Sequence, residues 1–170
     1  MQVFEVFYDY ACPFCLRGHE ALLELIPQFS EIVIEWRPCE AHPRPERYGR
    51  HSDLCARGMY FVLENSADLM EYHSRMYNAA LTDCMNIEDV NVILDITDGL
   101  IDKEKLSEAL ISGLYENRLS ENNHLAWDIY DFPAVPSYRM GGVLLKSKLG
   151  VGVGKERLET FLKKQIGKVG

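Results

Sequence analysis

The chain has 170 residues, a length that fits one domain or one domain with a sizeable insertion. Apolar residues make up 47% of it and charged residues 26%, which is typical of a soluble globular protein and excludes disordered and fibrous chains. No apolar stretch approaches the ~20 residues that a membrane-spanning helix needs, so we expect no membrane as a partner.

The net charge of −8 is unevenly distributed. Residues 64–131 contain 15 acidic and four basic residues, whereas residues 132–170 contain two acidic and eight basic ones. Because affinity for a phosphate backbone comes chiefly from clustered cations, this balance argues against nucleic acid as a partner. We interpret four late lysines as solvent-facing residues of a terminal helix: Lys155, Lys163, Lys164 and Lys168.

The number of cysteines and the charge of the N-terminal residues indicate the cellular compartment of the protein. Five cysteines, an odd number in a chain with a good core, do not fit a secreted disulfide framework. No basic residue precedes Arg17, so the N-terminus lacks the charged region of a secretory signal. Together these observations predict a cytoplasmic protein.

The first 45 residues carry a strand, a helix and a second strand. The run Val3–Asp9 is rich in β-branched and aromatic residues and predicts the first strand. Apolar residues then recur at helical spacing until Pro27, which marks the expected end of a helix. Ile32–Trp36 predicts the second strand, which should run parallel to the first because a helix connects them.

The middle of the chain, from about Ser52 to Tyr130, is predicted to be mostly helical, with Asn86 and Asp102 as N-caps. Two further strands are expected over Pro136–Met140 and Val143–Lys148, because Gly141-Gly142 between them is a strong hairpin signal. A last helix should present one apolar stripe formed by Leu158, Leu162 and Ile166.

This order of elements predicts an α/β protein with a thioredoxin fold, βαβ followed by ββα, and an all-helical insertion between the second and third strands. The expected segments are 1–45 and 132–170 for the thioredoxin fold and 46–131 for the insertion. In that fold the start of the third strand lies beside the end of the first. Pro136 should therefore face Cys12.

A Cys-Pro-Phe-Cys motif stands between the first strand and its helix. A thiolate is the species that attacks a disulfide, and the N-terminus of a helix stabilises an anion. Pro13 suits the first helical position, where its missing N–H removes no hydrogen bond. Cys15, one turn beyond Cys12, is placed to attack a mixed disulfide formed there, so the pair can cycle.

Two interpretations without redox chemistry compete with a cycling Cys12–Cys15 pair. The cysteines can be inert helix residues, or they can form half of a zinc site completed by Cys39 and His42, which have C-x-x-H spacing. Redox chemistry is favoured, because a zinc site requires neither the strand–CP–helix setting nor the later Val135-Pro136 at the start of a strand.

Three segments together resemble the DsbA-like thioredoxin family, most closely its FrnE branch: Tyr8–Cys15, Trp36–Pro43 and Ala134–Gly142. The resemblance implies a thiol–disulfide oxidoreductase with Cys12 as nucleophile, Cys15 as resolving cysteine and Pro136 as a cis-proline against the disulfide. It also implies that the Val135 backbone pairs with a bound peptide. Expected partners are protein or low-molecular-weight thiols and disulfides, including glutathione, and no cofactor is required.

The sequence departs from the family pattern at two positions, one within the Cys-Pro-Phe-Cys motif and one after the second strand. Phe14 replaces the histidine of strongly oxidising DsbA proteins, so no imidazole stabilises the thiolate and the direction of electron flow stays open. Cys39 stands where an aromatic residue is expected, and we hypothesise that it exchanges with the Cys12–Cys15 pair. A runner-up function is a glutathione-dependent isomerase or transferase of the 2-hydroxychromene-2-carboxylate isomerase or kappa-class type, although those proteins usually carry serine in place of Cys12. A third is a non-catalytic thioredoxin-like or zinc-binding module.

Four single residues are weaker candidates. His19 is one turn beyond Cys15 and is interpreted as a partly exposed helix residue, although a protonated imidazole there would favour the thiolate. Asp9 and Glu24 are candidate proton carriers for Cys15, with a surface salt bridge the preferred interpretation for Glu24. Glu40 lies in the family-like segment without a role that the sequence defines.

Overall fold

The computed structural model describes residues 1–167; Lys168, assigned above to the terminal helix, lies outside them. A 3₁₀ turn at Ile26–Gln28 follows the first α-helix. The third and sixth α-helices each continue into a π-helical segment, at Asn78–Thr82 and His124–Ile129. In chain order the elements are β1 (Gln2–Tyr8), α1 (Pro13–Leu25), β2 (Ile32–Pro38), α2 (Asp53–Glu64), α3 (Leu69–Tyr77), α4 (Val90–Ile96), α5 (Lys103–Ile111), α6 (Glu116–Asn123), β3 (Ser137–Met140), β4 (Val143–Leu145) and α7 (Lys155–Ile166).

The four strands form one sheet in the order β2-β1-β3-β4. β1 pairs in parallel with β2, as predicted, and antiparallel with β3. Phe7 near the end of β1 is opposite Ser137 at the start of β3. The end of β1, which leads into Cys12, therefore lies beside the segment that leads into β3.

The predicted hairpin is confirmed, but its second strand is shorter than expected. Gly141 and Gly142 have φ values of +56° and +79°, which suit glycine in a tight turn between antiparallel strands. β4 ends at Leu145 rather than Lys148, because Lys148 turns back to pair with Gly152 in an isolated bridge. The loop so formed returns the chain toward the start of α1.

The helical insertion lies between β2 and β3, as predicted, and one of its two predicted N-caps is confirmed. The Asp102 side chain accepts a hydrogen bond from the Lys105 N–H at 3.1 Å. Asn86 is not an N-cap, because its side chain accepts from Glu88 N–H within a turn and Asp89 caps α4 instead. The prediction missed by three residues because both Asn and Asp suit either role.

Aromatic side chains join the sheet to the helices. Phe4 on β1 stacks on Tyr138 of β3 with ring centroids 5.4 Å apart and also contacts Phe161 of α7. On the opposite face of the sheet, Phe7 contacts Phe132 just before β3. The arrangement is the predicted thioredoxin fold with a helical insertion, and none of the helices in residues 1–167 is long and apolar enough to cross a membrane.

Candidate active site

Cys12 and Cys15 lie at the N-terminal end of α1. Cys12 is the N-cap residue, with extended backbone, and Pro13 occupies the first helical position as predicted. The Cys12 side chain is half-buried, whereas Cys15 is only 1% exposed. The Cys12 thiol is therefore accessible to solvent, whereas the Cys15 thiol is buried.

The two thiols differ in acidity. A hydrogen bond from the Cys15 thiol lowers the pKa of Cys12, and backbone N–H groups of the first turn add to this effect. Burial raises the pKa of Cys15 well above its ordinary value, and its hydrogen bond to Cys12 acts in the same direction. Because the thiolate is the nucleophile, Cys12 is the member of the pair suited to attack first.

The loop before β3 lies against this end of the helix. The Cys12 thiol donates a hydrogen bond to the Val135 carbonyl at 3.6 Å, although the two residues are 123 positions apart. The Val135–Pro136 peptide bond is cis. A Cβ atom on Gly18 would be 2.8 Å from Pro136 Cγ, so a glycine is required where the proline ring rests on α1.

Asp9 fixes the backbone around the pair. One of its carboxylate oxygens accepts from the Ala11 N–H and the other from the Ala41 N–H, both at 2.8 Å. Its own backbone N–H points to the Cys15 sulfur at 3.4 Å. Burial raises the pKa of this carboxyl group. Asp9 thus joins the segment before α1 to the segment after β2 directly beneath the cysteines.

Cys39 and His42 do not complete a metal site with the pair. Cys39 is buried and its thiol donates to the Tyr8 carbonyl at 3.6 Å, while His42 is exposed and pairs with Glu46 at 3.1 Å. Among residues 1–167, no group of three or more histidine, cysteine, aspartate or glutamate side chains is arranged to hold a metal ion. The arrangement does not support the zinc interpretation, and exchange of Cys39 with the pair stays a prediction.

The interpretation of His19 as a partly exposed residue is wrong. It is 8% exposed, since the face of α1 that carries it packs on β2 and α3, and its ring centroid lies 5.8 Å from that of Trp36 and 5.0 Å from that of His73. Burial lowers the pKa of His19 to about 4, so the imidazole is neutral near pH 7 and supplies no positive charge to the thiolate. We call the packed set His19, Trp36, His73, Tyr8 and Tyr10 the histidine cluster.

The remaining candidates are separate from the pair. Glu24 forms the predicted surface salt bridge, with Lys155 of α7 as its partner. Cys55 is buried in α2, whereas Cys84 is exposed and follows the π-helical segment Asn78–Thr82. All five cysteines are free thiols in this structure.

A groove of about 800 Å³ opens beside Cys12. One wall comes from the segment before β3, the second from the loop after β4, and the third from the segment after β2 with the end of the insertion. The groove is lined mainly by apolar side chains, among them Phe14, Trp127, Phe132, Pro133 and Leu149. Phe132 is part of the buried core and Trp127 packs against that core, and both also border this opening.

Two residues that shape the site were missed from the sequence. Asn123 contacts Glu40 through both its amide atoms, and no local pattern marks an asparagine at the end of a helix for that role. Gly18 accommodates Pro136, and a lone glycine within a helical pattern was a usable signal of close backbone approach.

Comparison with known proteins agrees with this geometry. A family model described as the DSBA-like thioredoxin domain matches residues 3–165. The chain belongs to that family. It is 23% identical to the uncharacterized protein YwbO of Bacillus subtilis (strain 168), over 95% of this chain and 98% of that one.

Solved structures of the family have the same fold at low sequence identity. A probable DsbA oxidoreductase from Streptomyces coelicolor superposes with a TM-score of 0.79 at 14% identity, covering 99% of this chain and 91% of that one. Pseudomonas aeruginosa DsbA gives 0.73 at 16% identity, with 99% and 85% covered. Chlamydia trachomatis DsbA gives 0.70 at 18% identity, with 96% and 87% covered.

Proposed function

We propose that this protein is a thiol–disulfide oxidoreductase that cycles Cys12 and Cys15 between the dithiol and disulfide forms. The observation that carries the proposal is the asymmetry of the pair: the accessible Cys12 has a lowered pKa at a helix N-terminus, and the buried Cys15 has a raised one. Membership of the DSBA-like thioredoxin domain family supports the same assignment.

The reduced pair would act in two displacements. The Cys12 thiolate attacks one sulfur of a substrate disulfide, the substrate S–S bond breaks, and the other substrate sulfur leaves as a thiolate. Cys15 then loses its proton and attacks Cys12 Sγ, which forms the Cys12–Cys15 disulfide and releases the second substrate thiol. The substrate gains two electrons and the pair loses them, and the reverse sequence oxidises a dithiol.

The surrounding residues have distinct roles in this scheme. The Val135 carbonyl borders the attacking sulfur and would lie beside an incoming peptide, Pro136 holds that segment against Gly18 of α1, and Pro13 and Phe14 form the turn that presents Cys12. Asp9 is the candidate acceptor for the Cys15 proton, because its charge acts on the Cys15 thiol and burial raises its carboxyl pKa toward the range in which it can take a proton up.

The direction and location of the reaction are finer proposals. Phe14 supplies no imidazole to stabilise a Cys12 thiolate, so we infer a less oxidising pair than one with histidine at that position. Together with the predicted cytoplasmic location and the resemblance to the FrnE branch, this favours reduction or isomerisation of disulfides in a reducing compartment.

A glutathione redox titration tests the proposal. The protein is equilibrated at a series of glutathione ratios, thiols are trapped, and mass spectrometry identifies the oxidised cysteines. We expect one reversible two-electron step confined to Cys12 and Cys15, lost in Cys12→Ser and unchanged in Cys84→Ser, which removes an exposed thiol of the insertion. Thiols that never form a disulfide at any ratio would overturn the proposal.

The same titration separates the alternatives. A glutathione-dependent isomerase or transferase would bind glutathione without cycling the pair, and activity would survive in Cys12→Ser because a serine suffices at that position. A zinc-binding module would hold metal through Cys12 and Cys15 and protect both from trapping. A disulfide linking Cys39 to either member of the pair would support the predicted exchange.

A further inference from the structure

Glu40 lies where the Cys12 groove meets a second cavity of about 720 Å³ on the helical insertion, and it lines both. It lies two residues after the end of β2 and is almost completely buried, with 5% of the residue exposed. Carboxylates are rarely buried to this extent unless a partner compensates for lost hydration.

The insertion holds this carboxylate in place. The Asn123 amide nitrogen donates to Glu40 Oε2 at 2.9 Å, and the Asn123 amide oxygen accepts from the Glu40 backbone N–H at 2.7 Å. The Trp127 indole N–H donates to the Glu40 carbonyl at 3.0 Å. Three hydrogen bonds from the end of α6 and the segment after it therefore fix both the backbone and one carboxylate oxygen of Glu40.

The second carboxylate oxygen, Oε1, is buried and has no hydrogen-bond partner. The contrast with Asp9, which lines the same groove, is clear: both oxygens of Asp9 accept backbone N–H groups. A buried acceptor without a donor costs free energy, and that cost is recovered when a ligand supplies the donor.

The chemistry of Oε1 defines that donor. An ionised carboxylate only accepts hydrogen bonds, and its strongest partners are guanidinium and ammonium groups. None of the cations that line the groove is bound to Glu40: the Arg50 guanidinium contacts the Ala80 and Met85 carbonyls, His42 pairs with Glu46, and Lys148 lies on the wall formed by the loop after β4. The apolar wall of the groove suits the methylene stem of a long basic side chain.

We propose that Glu40 is a substrate-binding residue that accepts a hydrogen bond from an arginine or lysine side chain near the reacting cysteine of a polypeptide substrate. This inference rests on the proposed function and specifies its substrate class. The protein is thereby selective for disulfides in basic polypeptide segments.

A peptide series tests the selectivity. Each peptide carries one cysteine joined as a mixed disulfide to thionitrobenzoate, and one position, moved from one to four residues on either side of the cysteine, is arginine or the neutral isostere citrulline. Reduced protein releases one thionitrobenzoate per Cys12–Cys15 disulfide formed. We expect arginine to raise the second-order rate constant about tenfold over citrulline at one or more positions.

Glu40→Gln should abolish this preference, because the isosteric amide keeps the Asn123 contact but loses the charge. Glu121→Gln, which removes an equal charge from α6 outside the groove, should retain it. Alkylation of Cys12 by iodoacetamide, measured in each protein, separates recognition from thiol reactivity and should be the same in Glu40→Gln and wild type.

Several results would overturn the inference. Equal rates with the arginine and citrulline peptides at every position would be sufficient. That result needs only the wild-type protein, so it holds whether or not Glu40→Gln folds. An equal fractional loss of rate with the arginine and citrulline peptides in Glu40→Gln would also overturn it. So would a reaction with oxidised glutathione that is faster than with every peptide and that slows in Glu40→Gln. Normal alkylation and disulfide formation in these cases would leave the proposed function intact, whereas no reaction with any disulfide would overturn both.

Discussion

The N-terminal end of α1 and the histidine cluster, which packs around His19 in the middle of the same helix, both contain titratable side chains removed from solvent. In the histidine cluster burial dominates, and it lowers the pKa values of both His19 and His73. At the cysteine end burial is offset for one residue, because Cys12 receives hydrogen bonds from Cys15 and from the first helical turn. Burial alone therefore yields inert neutral groups, and a reactive one needs donors that favour its charged form.

The largest expected effect comes from separating the two cysteines. Cys15→Ala leaves Cys12 able to attack but removes the thiol that resolves the mixed disulfide. Turnover of a disulfide substrate should fall at least about 100-fold, while a Cys12 mixed disulfide accumulates and is visible by mass spectrometry under non-reducing conditions. Rapid release of substrate from Cys15→Ala would show that another thiol, with Cys39 the first to examine, resolves the intermediate.

The next effect concerns the contact between α1 and the segment before β3. In Gly18→Ala the new Cβ would lie 2.7 Å from the Tyr138 hydroxyl and 2.8 Å from Pro136 Cγ. We expect a loss of about 1–3 kcal/mol in the free energy of unfolding, measured in urea. Gly154→Ala, where nothing lies within 4 Å, changes only the N-cap of α7 and should cost about 0.5 kcal/mol. Similar values for both variants would contradict the close contact.

The histidine cluster predicts a dependence of stability on pH. His19 has a folded-state pKa of about 4 against an ordinary value of 6.5, so the unfolded chain binds more protons between these values. The contribution is complete above pH 6.5 and declines as the pH falls toward 4. Between pH 7 and pH 5, wild type should lose about 1–2 kcal/mol more stability than His19→Phe.

Two buried carboxyl groups change the stability with pH in the opposite direction to His19. The effect of His19 is therefore measured as the difference in stability between wild type and His19→Phe. Burial raises the pKa values of Asp9 and Glu40, so protonation of these groups favours the folded state as the pH falls. Both are present in wild type and in His19→Phe, so their effects cancel in the difference. Parallel stability curves for the two proteins between pH 7 and pH 5 would rule out a neutral buried His19.

The smallest effect is expected at Glu24, on the exposed side of α1. Its salt bridge with Lys155 joins two side chains that are 63% and 48% exposed, where water screens the interaction. Glu24→Gln should change the free energy of unfolding by less than about 0.5 kcal/mol and leave the rate of Cys12 alkylation unaltered. A slower alkylation rate would indicate that Glu24 acts on the thiol rather than at the surface.

Local patterns in the sequence were sufficient for the framework. The strand before Cys12, Pro13 at the first helical position and the Gly141-Gly142 turn each have short-range signals, and the order of elements then brings the Val135–Pro136 segment to the start of α1. These features follow from backbone preferences that neighbouring residues determine.

Tertiary packing decided what the sequence left open. His19 is buried because Trp36 and His73 close over α1, and neither is close to it along the chain. The pairing of Glu40 with Asn123 joins residues 83 positions apart, so no local pattern contains it. Asn86 was misassigned for the opposite reason, since two good capping residues compete within one turn.

The contact between Cys12 and Val135 spans 123 positions, and it affects the order in which the site is built during synthesis. A ribosome releases the N-terminus first, so both cysteines of the motif are translated well before the segment that covers them. The groove wall from Phe132 to Val135 is translated more than about a hundred residues after Cys15. Until that segment is made, a growing chain presents its two thiols without the wall that borders Cys12 in the folded protein.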